Sequence, residues 1–390
     1  MVTLPTGLVF MSYSVEVENV DSFLVLRNHT MPTTTTLELT GRYSAACPIH
    51  ALTYSSTPST YILTGSSDRS IRLYNPTTTT PSPSPGHPPI GRLIQTYTGA
   101  HSYEVLSLSV SSQNDRFASS GGDRTVFLWD VSTASTIRRL GSNSTTFSHT
   151  GRVNTVVFSG HDDSLVISGG HDTTVRIWDT KSSSAKPIQV LNDAKDAITC
   201  LATPQNGEPE IITGSVDGKV RTYDVRMGRC VADVLGTPVT SLSLSRDGKT
   251  LLVGGLDSKI RLFDRKNGTC LKTYEHPGWR NTELRVQSCL GGKERYVVAG
   301  DELTSPDTAA QSSKEEGKIW AWDLLTGKLV ATVPVPWGGD ASNKKVTIGR
   351  DGKEKARKNV VSCIAWKEGG FGNQFCVGGT SGVVNVYGEL

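Results

Sequence analysis

Ser168, His149 and Asp172 are residues of this chain whose types could supply a nucleophile, a general base and an orienting acid. Such a set hydrolyses esters or peptides when the serine lies on an exposed, sharp turn beside an oxyanion-binding site. No G-x-S-x-G turn surrounds Ser168, and the serine lies within a short run, Ser164–Gly169, that is typical of a β-strand. We therefore predict a structural hydrogen-bonded set and no catalytic residue.

The histidines and cysteines are too scattered to predict a metal site. The seven cysteines contain no C-x-x-C pair, and the eight histidines show no ligand spacing. The sequence also contains no P-loop, no dinucleotide-binding fingerprint at a strand–helix junction, no H-E-x-x-H and no EF-hand loop. We expect no metal and no cofactor, and we expect the cysteines to be reduced thiols.

The charge and the apolar runs exclude two further classes of function. A net charge of +3 on 390 residues is too small for the whole surface to attract nucleic acid or lipid, so any such contact requires a local patch. No stretch approaches the roughly 20 apolar residues that span a bilayer. The N-terminal segment has no basic region followed by a long apolar run, so we expect neither secretion nor membrane contact.

A recurring motif predicts the elements that position these residues. It consists of two small residues, an Asp, two polar residues and a β-branched run that ends in an aromatic residue and an acid or amide. Five copies end at Asn75, Asp130, Asp179, Asp224 and Asp264, and two degenerate copies end at Asp323 and Gly388. The shortest spacings match the roughly 40–45 residues of a four-stranded propeller blade. Because no helical period appears among the copies, we predict an all-β, seven-bladed β-propeller.

These repeats resemble those of the WD-repeat family, whose blades begin near Gly-His and end in Trp-Asp. The resemblance implies a WD-repeat β-propeller in which a His, a Ser or Thr, an Asp and a Trp form a buried hydrogen-bonded tetrad within a blade. Blades 1 and 4 keep Thr and Asp but lack the His and carry Tyr in place of Trp. Two complete tetrads are expected, His101, Ser119, Asp123 and Trp129 in blade 2 and His149, Ser168, Asp172 and Trp178 in blade 3.

The propeller is expected to occupy residues 34–390, with residues 1–33 as a disordered N-terminal extension. The last repeat supplies only three strands, so the ring needs a fourth strand from elsewhere. In the WD-repeat family the N-terminus commonly provides it, and Thr35–Leu39 is suitably placed to do so.

Three insertions interrupt the repeats, at residues 76–89, 301–316 and 337–358. The first is rich in proline, carries three Ser/Thr-Pro dipeptides that are minimal phosphorylation sites, and is expected to be an extended, disordered loop. The second has five acidic residues and one lysine. The third contains seven basic residues, for which we weigh contact with RNA phosphate, an acidic protein or a nuclear importer against a solvated loop. These residues are Lys344, Lys345, Arg350, Lys353, Lys355, Arg357 and Lys358.

The face of the ring at which the inner strands begin, here called the upper face, is expected to bind partners. Tryptophan and arginine are enriched in binding hot spots, although each candidate has the alternative role of a packed loop anchor. The candidates are Tyr103, Arg152, His171, Asp196, Trp279 and Arg280.

Four segments narrow the resemblance within the WD-repeat family. They are Tyr103–Leu106, Gly151–Val156, Gly214–Arg221 and Tyr223–Gly228, and they are similar to the mitogen-activated protein kinase organizer family of WD-repeat scaffolds. The resemblance implies a non-enzymatic scaffold that assembles complexes of spliceosomal factors or kinase-cascade components, in the nucleus and cytoplasm. The chain is expected to be monomeric within such complexes. The basic loop favours a role in pre-mRNA splicing.

The sequence is compatible with two alternative functions. The Ser/Thr-Pro sites favour a scaffold for a MAP-kinase cascade. Tyr223–Arg226 resembles the Trp-Asp-x-Arg box with which some propellers dock a cullin-RING ubiquitin ligase, which would make the chain a substrate receptor. For Arg226 we predict instead a local pairing with carboxylates and carbonyls of its turn.

Overall fold

The fold was determined from a computed structural model that describes residues 37–44, 47–80, 90–141, 147–204, 209–302, 317–337, 347–348, 354–355, 359–367 and 374–389. Within these ranges the regular structure consists of β-strands and one short 3-10 helix, His161–Asp163. The first strand of each blade contacts the first strands of the blades on either side, and the seventh blade contacts the first. The predicted all-β, seven-bladed propeller is therefore confirmed.

Each blade is a four-stranded antiparallel sheet whose strands run in sequence order from the centre of the ring to its rim. The first strand of the chain is the exception, because it completes the last blade. That strand is β1, Leu37–Ser44. Blade 1 consists of β2 Ile49–Tyr54, β3 Ile62–Ser66, β4 Ile71–Thr80 and β5 Ile90–Tyr97. Blade 2 consists of β6 Val105–Val110, β7 Arg116–Gly121, β8 Val126–Asp130 and β9 Thr136–Leu140.

The next three blades follow without interruption of this order. Blade 3 consists of β10 Val153–Ser159, β11 Leu165–Gly170, β12 Val175–Asp179 and β13 Gln189–Leu191. Blade 4 consists of β14 Ile198–Ala202, β15 Glu210–Ser215, β16 Lys219–Asp224 and β17 Arg229–Val234. Blade 5 consists of β18 Val239–Leu244, β19 Thr250–Gly255, β20 Ile260–Asp264 and β21 Thr269–Tyr274.

The last two blades carry the longer insertions. Blade 6 consists of β22 Ser288–Gly291, β23 Tyr296–Ala299, β24 Gly317–Asp323 and β25 Leu329–Val335. A small hairpin of β26 Thr347–Ile348 and β27 Glu354–Lys355 precedes blade 7. Blade 7 consists of β28 Val361–Trp366, β29 Gln374–Gly379, β30 Val383–Glu389 and, at the rim, β1.

The apolar core lies between blades rather than within any one of them. Second strands such as β11 are buried at almost every residue, which explains their continuous runs of apolar and small residues. One cluster joins Ala118 and Leu128 of blade 2 to Val156, Phe158 and Trp178 of blade 3. Because each blade buries its face against the next, a single blade has no complete core of its own.

The N-terminal strand closes the ring, as the repeat count requires. Strand β1 pairs antiparallel with β30 from Leu37 opposite Glu389 to Ser44 opposite Val383, with a bulge between Leu39 and Gly41. Arg42 also bridges to Ile90 of β5, which joins blades 7 and 1 into one eight-stranded sheet. The expected closing segment, 35–39, was therefore placed too early, since the strand continues to residue 44.

The insertions agree only in part with expectation. Pro76–Thr80 was expected to be part of a disordered loop, but β4 runs on through Thr80, which pairs with Ile90. Pro76 fits there because it lies in the register shift between Asn75 and Thr79, where the ladder does not need its missing N–H. Residues 81–89 and 303–316 lie outside the described residues. So does the basic loop, apart from the backbone of the β26–β27 hairpin that includes Lys355.

Candidate functional site

A chain of hydrogen bonds runs through blade 3 from Trp178 to Asp172. Trp178 Nε1–H donates to Ser168 Oγ (2.9 Å), and Ser168 Oγ lies 2.8 Å from His149 Nε2. His149 Nδ1 lies 3.0 Å from the Asp172 carboxylate. The Asp172 carboxylate only accepts, so Nδ1–H donates to it, and Nε2 of the neutral imidazole accepts a hydrogen bond from the Ser168 hydroxyl. This pattern satisfies every member with a neutral imidazole.

The order Ser168, His149 and Asp172 is that of a hydrolase triad, but the serine has no access to a substrate. Ser168 is fully buried (0 % exposed), and its oxygen already accepts the proton of Trp178. Asp172 also accepts the Thr150 N–H and the Thr174 hydroxyl. Together these contacts hold the loop before β10 against the turn between β11 and β12, so the set ties a blade together.

Blade 2 repeats the arrangement with the same atoms. His101 Nδ1 lies 2.7 Å from Asp123, His101 Nε2 lies 2.7 Å from Ser119 Oγ, and Trp129 Nε1 donates to the same hydroxyl at 2.8 Å. Phe127 packs edge-on against the imidazole. The structure thus brings together all eight residues of the two expected tetrads.

Three blades that lack the tetrad histidine, blades 1, 4 and 5, use arginine instead, which was not predicted from the sequence. In blades 1 and 4, the arginine four residues after the turn Asp forms an ion pair with it, Arg72 with Asp68 at 2.5 Å and Arg221 with Asp217 at 2.6 Å. Arg261 and Asp257 form the same pair in blade 5. A repeated Asp-x-x-x-Arg spacing was the available signal. Hydrogen bonds from these arginines help to hold the pKa of Asp68 and Asp217 below the usual range, although burial acts against this.

The blade 3 tetrad predicts a loss of stability in acid. Burial lowers the pKa of His149, whereas the unfolded chain takes up a proton near pH 6.5. Burial opposes ionisation of Asp172, but hydrogen bonds from His149, Thr150 and Thr174 outweigh it and lower the pKa to about 2. Stability should therefore fall as the pH drops below about 6.5, and fall again between about pH 4 and about pH 2.

Denaturant unfolding between about pH 7 and about pH 5 tests the histidine part of this prediction. Each proton taken up only by the unfolded chain changes the unfolding free energy by at most about 1.4 kcal/mol per pH unit. The His149→Gln variant should show a shallower pH dependence than the natural chain, whatever its absolute stability. Equal slopes in the two proteins would contradict a buried, neutral His149.

The candidate partner-binding residues divide by burial. Tyr103 is 60 % exposed, and Arg152, His171 and Asp196 also face solvent on the upper face. Arg280 is half-buried. These five side chains are therefore accessible to a partner, Arg280 less so than the other four.

Trp279 was expected as a possible hot spot, and the structure places it in the core instead. It is 2 % exposed, donates Nε1–H to the Gly300 carbonyl at 2.7 Å and packs edge-on against Trp322. The interior between blades 5 and 6 has room for a large ring there, so burial of the indole is favoured over exposure.

Arg226 also differs from expectation. Its backbone N–H donates to Asp224 at 2.9 Å, but the side chain is exposed, and within the described residues no carboxylate or carbonyl of the turn accepts a bond from it. The predicted local pairing of the guanidinium is therefore wrong, and Asp224 Oδ1 accepts the backbone N–H groups of Arg226 and Met227 instead.

The central channel begins at a ring of bulged residues. In six inner strands the second residue falls in a register shift, which turns its side chain away from the regular ladder. These residues are His50, Leu106, Asn154, Thr199, Thr240 and Ser362. Two of them connect neighbouring blades: Asn154 donates to the Ile198 carbonyl (2.7 Å) and Thr199 to the Val239 carbonyl (2.6 Å).

The opposite end of the channel opens into a cavity of about 750 Å³. Hydroxyl side chains line much of it, together with the aromatic residues Tyr54, Phe158 and Trp366. Its rim includes the short helix His161–Asp163, in which Asp163 accepts bonds from the backbone and hydroxyl of Ser112. The two ends of the central channel are therefore lined by different kinds of side chain.

Apolar side chains are exposed on the rim of the ring as well. All six residues of the outer strand β17 face solvent, including Val231 (62 % exposed) and Val234 (71 %). Exposed apolar groups of this kind are typical of surfaces that contact other proteins.

All seven cysteines are free thiols. Among the described residues, no cluster of three or more His, Cys, Asp or Glu side chains has a geometry that could hold a metal ion. The same part of the chain contains no helix of the length and apolarity needed to cross a bilayer.

Two protein-family models match the chain. The WD domain, G-beta repeat, matches residues 35–75 and 91–130. The β-propeller of the nucleolar protein 10-like N-terminal domain matches residues 123–288. Neither description is that of an enzyme family, and the matches together cover blades 1 to 5.

Several similar proteins are named for their WD repeats. WD repeat domain-containing protein 83 homolog of Dictyostelium discoideum is 28 % identical over 296 residues, which cover 70 % of this chain and 80 % of the relative. WD repeat domain-containing protein 83 of Xenopus tropicalis is 42 % identical over 155 residues, 40 % of this chain and 44 % of the relative. The guanine nucleotide-binding protein subunit beta of Zea mays is 30 % identical over 175 residues, 43 % of this chain and 44 % of the relative.

Against these last two relatives, the aligned part spans less than half of the other protein. The repeat matches nevertheless coincide with the blades described above, and the tetrads of blades 2 and 3 have the residues and bonds that the resemblance implies. The chain is a seven-bladed β-propeller that is similar to WD-repeat proteins and matches the WD domain, G-beta repeat, over residues 35–75 and 91–130.

Proposed function

We propose that the protein is a non-enzymatic scaffold that assembles protein complexes in pre-mRNA splicing, in the nucleus and cytoplasm. The observation that carries the scaffold role is the exposure of partner-type side chains, Tyr103, Arg152 and His171, on one face of a closed and rigid ring. A preformed surface loses little conformational freedom on binding. The four segments that resemble kinase-organizer scaffolds support partners that are either spliceosomal factors or kinase-cascade components, and the basic loop favours the role in splicing.

Two further parts of the molecule are proposed to contact partners, the first of them proteins and the second RNA. The exposed apolar residues of β17 add a second surface on the rim, so the ring can hold more than one partner at once. The basic residues Lys344–Lys358 are proposed to add contacts with RNA phosphate, which would depend on salt.

An affinity purification from native nuclear and cytoplasmic extracts tests the proposal. A tagged full-length chain is recovered with and without nuclease treatment, and the bound proteins are identified by mass spectrometry. We expect splicing factors in both halves. Recovery only without nuclease would assign the tether to RNA and make the basic loop the site to mutate.

A matched pair of variants connects this experiment to the upper face. Tyr103→Ala removes an exposed ring on the upper face, and recovery of splicing factors should fall several-fold, as for an aromatic hot spot. Leu325→Ala removes an exposed apolar side chain from the turn between β24 and β25, on the opposite face, and should leave recovery unchanged. Equal losses in both variants would contradict the assignment of the upper face.

The two alternatives predict different captures. Kinases without splicing factors would favour a MAP-kinase scaffold. A cullin-RING ligase adaptor whose recovery is lost in Arg226→Glu would favour a substrate receptor, a reading that the exposed side chain of Arg226 keeps open. Either result would contradict the proposed role in splicing.

A further inference from the structure

Arg285 reaches across the mouth of the central channel. It lies just before the inner strand of blade 6, at the position that Arg152 occupies in blade 3. Its Nη1 donates to the Asn154 carbonyl of blade 3 at 3.0 Å, and its Nε lies 3.3 Å from the Thr240 carbonyl of blade 5. The guanidinium therefore lies within the ring, below the upper face.

Among the described residues, no negatively charged side chain balances this cation. In the part of the chain that the structure describes, neither Arg285 nor Arg152 forms an ion pair, and Arg285 is bonded only to carbonyl oxygens. The titratable groups that interact with it are the thiols of Cys200 and Cys363 and the guanidinium of Arg152. Burial raises the pKa of both thiols, of Cys363 to about 11, so neither carries charge at neutral pH.

Arg152 lies two residues before Asn154, whose carbonyl accepts from Arg285, so both arginines belong to the same mouth of the channel. Burial lowers the pKa of Arg285, and the charge of Arg152 acts in the same direction. Arginine nevertheless stays protonated in proteins. A partly buried cation without an ion-pair partner is costly, and the guanidinium has N–H donors beyond those bound to the two carbonyls. An anion with two charges and several acceptor oxygens would relieve both costs.

We propose that the mouth of the central channel binds a phosphate monoester, with Arg285 at the floor of the site and Arg152 at its rim. A phosphate monoester carries about −1.5 to −2 charges at neutral pH and offers three acceptor oxygens, which matches two guanidinium groups. A carboxylate would neutralise only one of them. The proposal does not depend on a role in splicing.

Titration calorimetry on the purified full-length chain tests the site. The probes are inorganic phosphate, a phosphoserine peptide and its unphosphorylated counterpart, each at matched ionic strength in chloride. We expect saturable binding of the phosphate-bearing probes. Tighter binding of the phosphopeptide than of inorganic phosphate would identify a phosphorylated protein as the source of the group, and equal affinity would identify a small phosphorylated molecule.

Variants assign the binding to the two arginines. Arg152→Gln changes an exposed side chain and should weaken phosphate binding about tenfold, as for the loss of one charged hydrogen-bonding partner. Arg285→Met should abolish it, and Arg285→Lys should restore part of it. The control is Arg124→Gln, which removes the same charge from an arginine whose side chain forms, among the described residues, one long hydrogen bond to the Thr150 carbonyl.

Two results would overturn the proposal. One is phosphate binding no stronger than that of chloride at equal ionic strength. The other is an equal loss of binding in Arg152→Gln and Arg124→Gln, which would assign the effect to the overall charge of the upper face. Because Arg152 is exposed, its variant is expected to fold, and a thermal unfolding curve recorded in parallel verifies this.

Discussion

Deletion of residues 1–44 should leave the ring open and reduce the free energy of unfolding by on the order of 5 kcal/mol. The deletion removes the seven residue pairs between β1 and β30, each backbone hydrogen bond contributing about 1 kcal/mol net. A typical domain is stable by only about 5–15 kcal/mol, so little of the native state should remain. It also exposes the edge of β30, which would promote aggregation.

The matched control is deletion of residues 1–33 alone, which retains β1. Thermal unfolding and size-exclusion chromatography of both variants compare stability and association directly. We expect the shorter deletion to unfold at the temperature of the full chain and the longer one to unfold earlier or to elute as aggregates. Equal behaviour of the two variants would show that β1 does not close the ring.

Replacement of Asp172 by alanine should destabilise the protein by about 2–4 kcal/mol, because several donors lose a buried acceptor. His149 Nδ1–H, the Thr150 N–H and the Thr174 hydroxyl all donate to this carboxylate. The loss extends further, since the tautomer of His149 that accepts from Ser168 is held by Asp172. Chemical denaturation measures the effect as a shift of the midpoint.

Asp193→Ala serves as the control in the loop that enters the next blade. This aspartate is exposed and accepts no hydrogen bond among the described residues, so its removal should change the unfolding free energy by no more than about 0.5 kcal/mol. If Asp172→Ala had the same denaturation midpoint as the natural protein, the carboxylate would contribute little to the stability of blade 3.

The fold and the tetrads could be predicted from sequence because both are local patterns repeated along the chain. The turn Asp, the strand Ser and the closing Trp of one blade fall within about a dozen residues, so their register is visible without a structure. The closing strand was only approximately placed. Its boundaries depend on pairing with β30, at the other end of the chain, and on a bulge between Leu39 and Gly41.

The remaining features depend on contacts that no local pattern reveals. Trp279 has the composition of a hot spot, but whether an indole is exposed depends on the space between blades 5 and 6. Arg285 gave no signal, because the carbonyl it binds in Asn154 is 131 residues away. The arginines that pair with the turn Asp in blades 1, 4 and 5 follow a repeated Asp-x-x-x-Arg spacing. The ion pairs were not predicted because arginine is not a member of the tetrad that the family resemblance implies.

The pairing of β1 with β30 also determines when this protein can finish folding. During synthesis β1 leaves the ribosome before the other strands of the propeller, and its partner β30 leaves after them. Until then β1 is an unpaired strand beside growing blades, a state that invites wrong pairing. Closing so long a loop is slow compared with the local hairpins of each blade. Closure of the ring therefore joins the first and the last strand of the propeller to be synthesised, and β30 must have left the ribosome before the ring becomes stable.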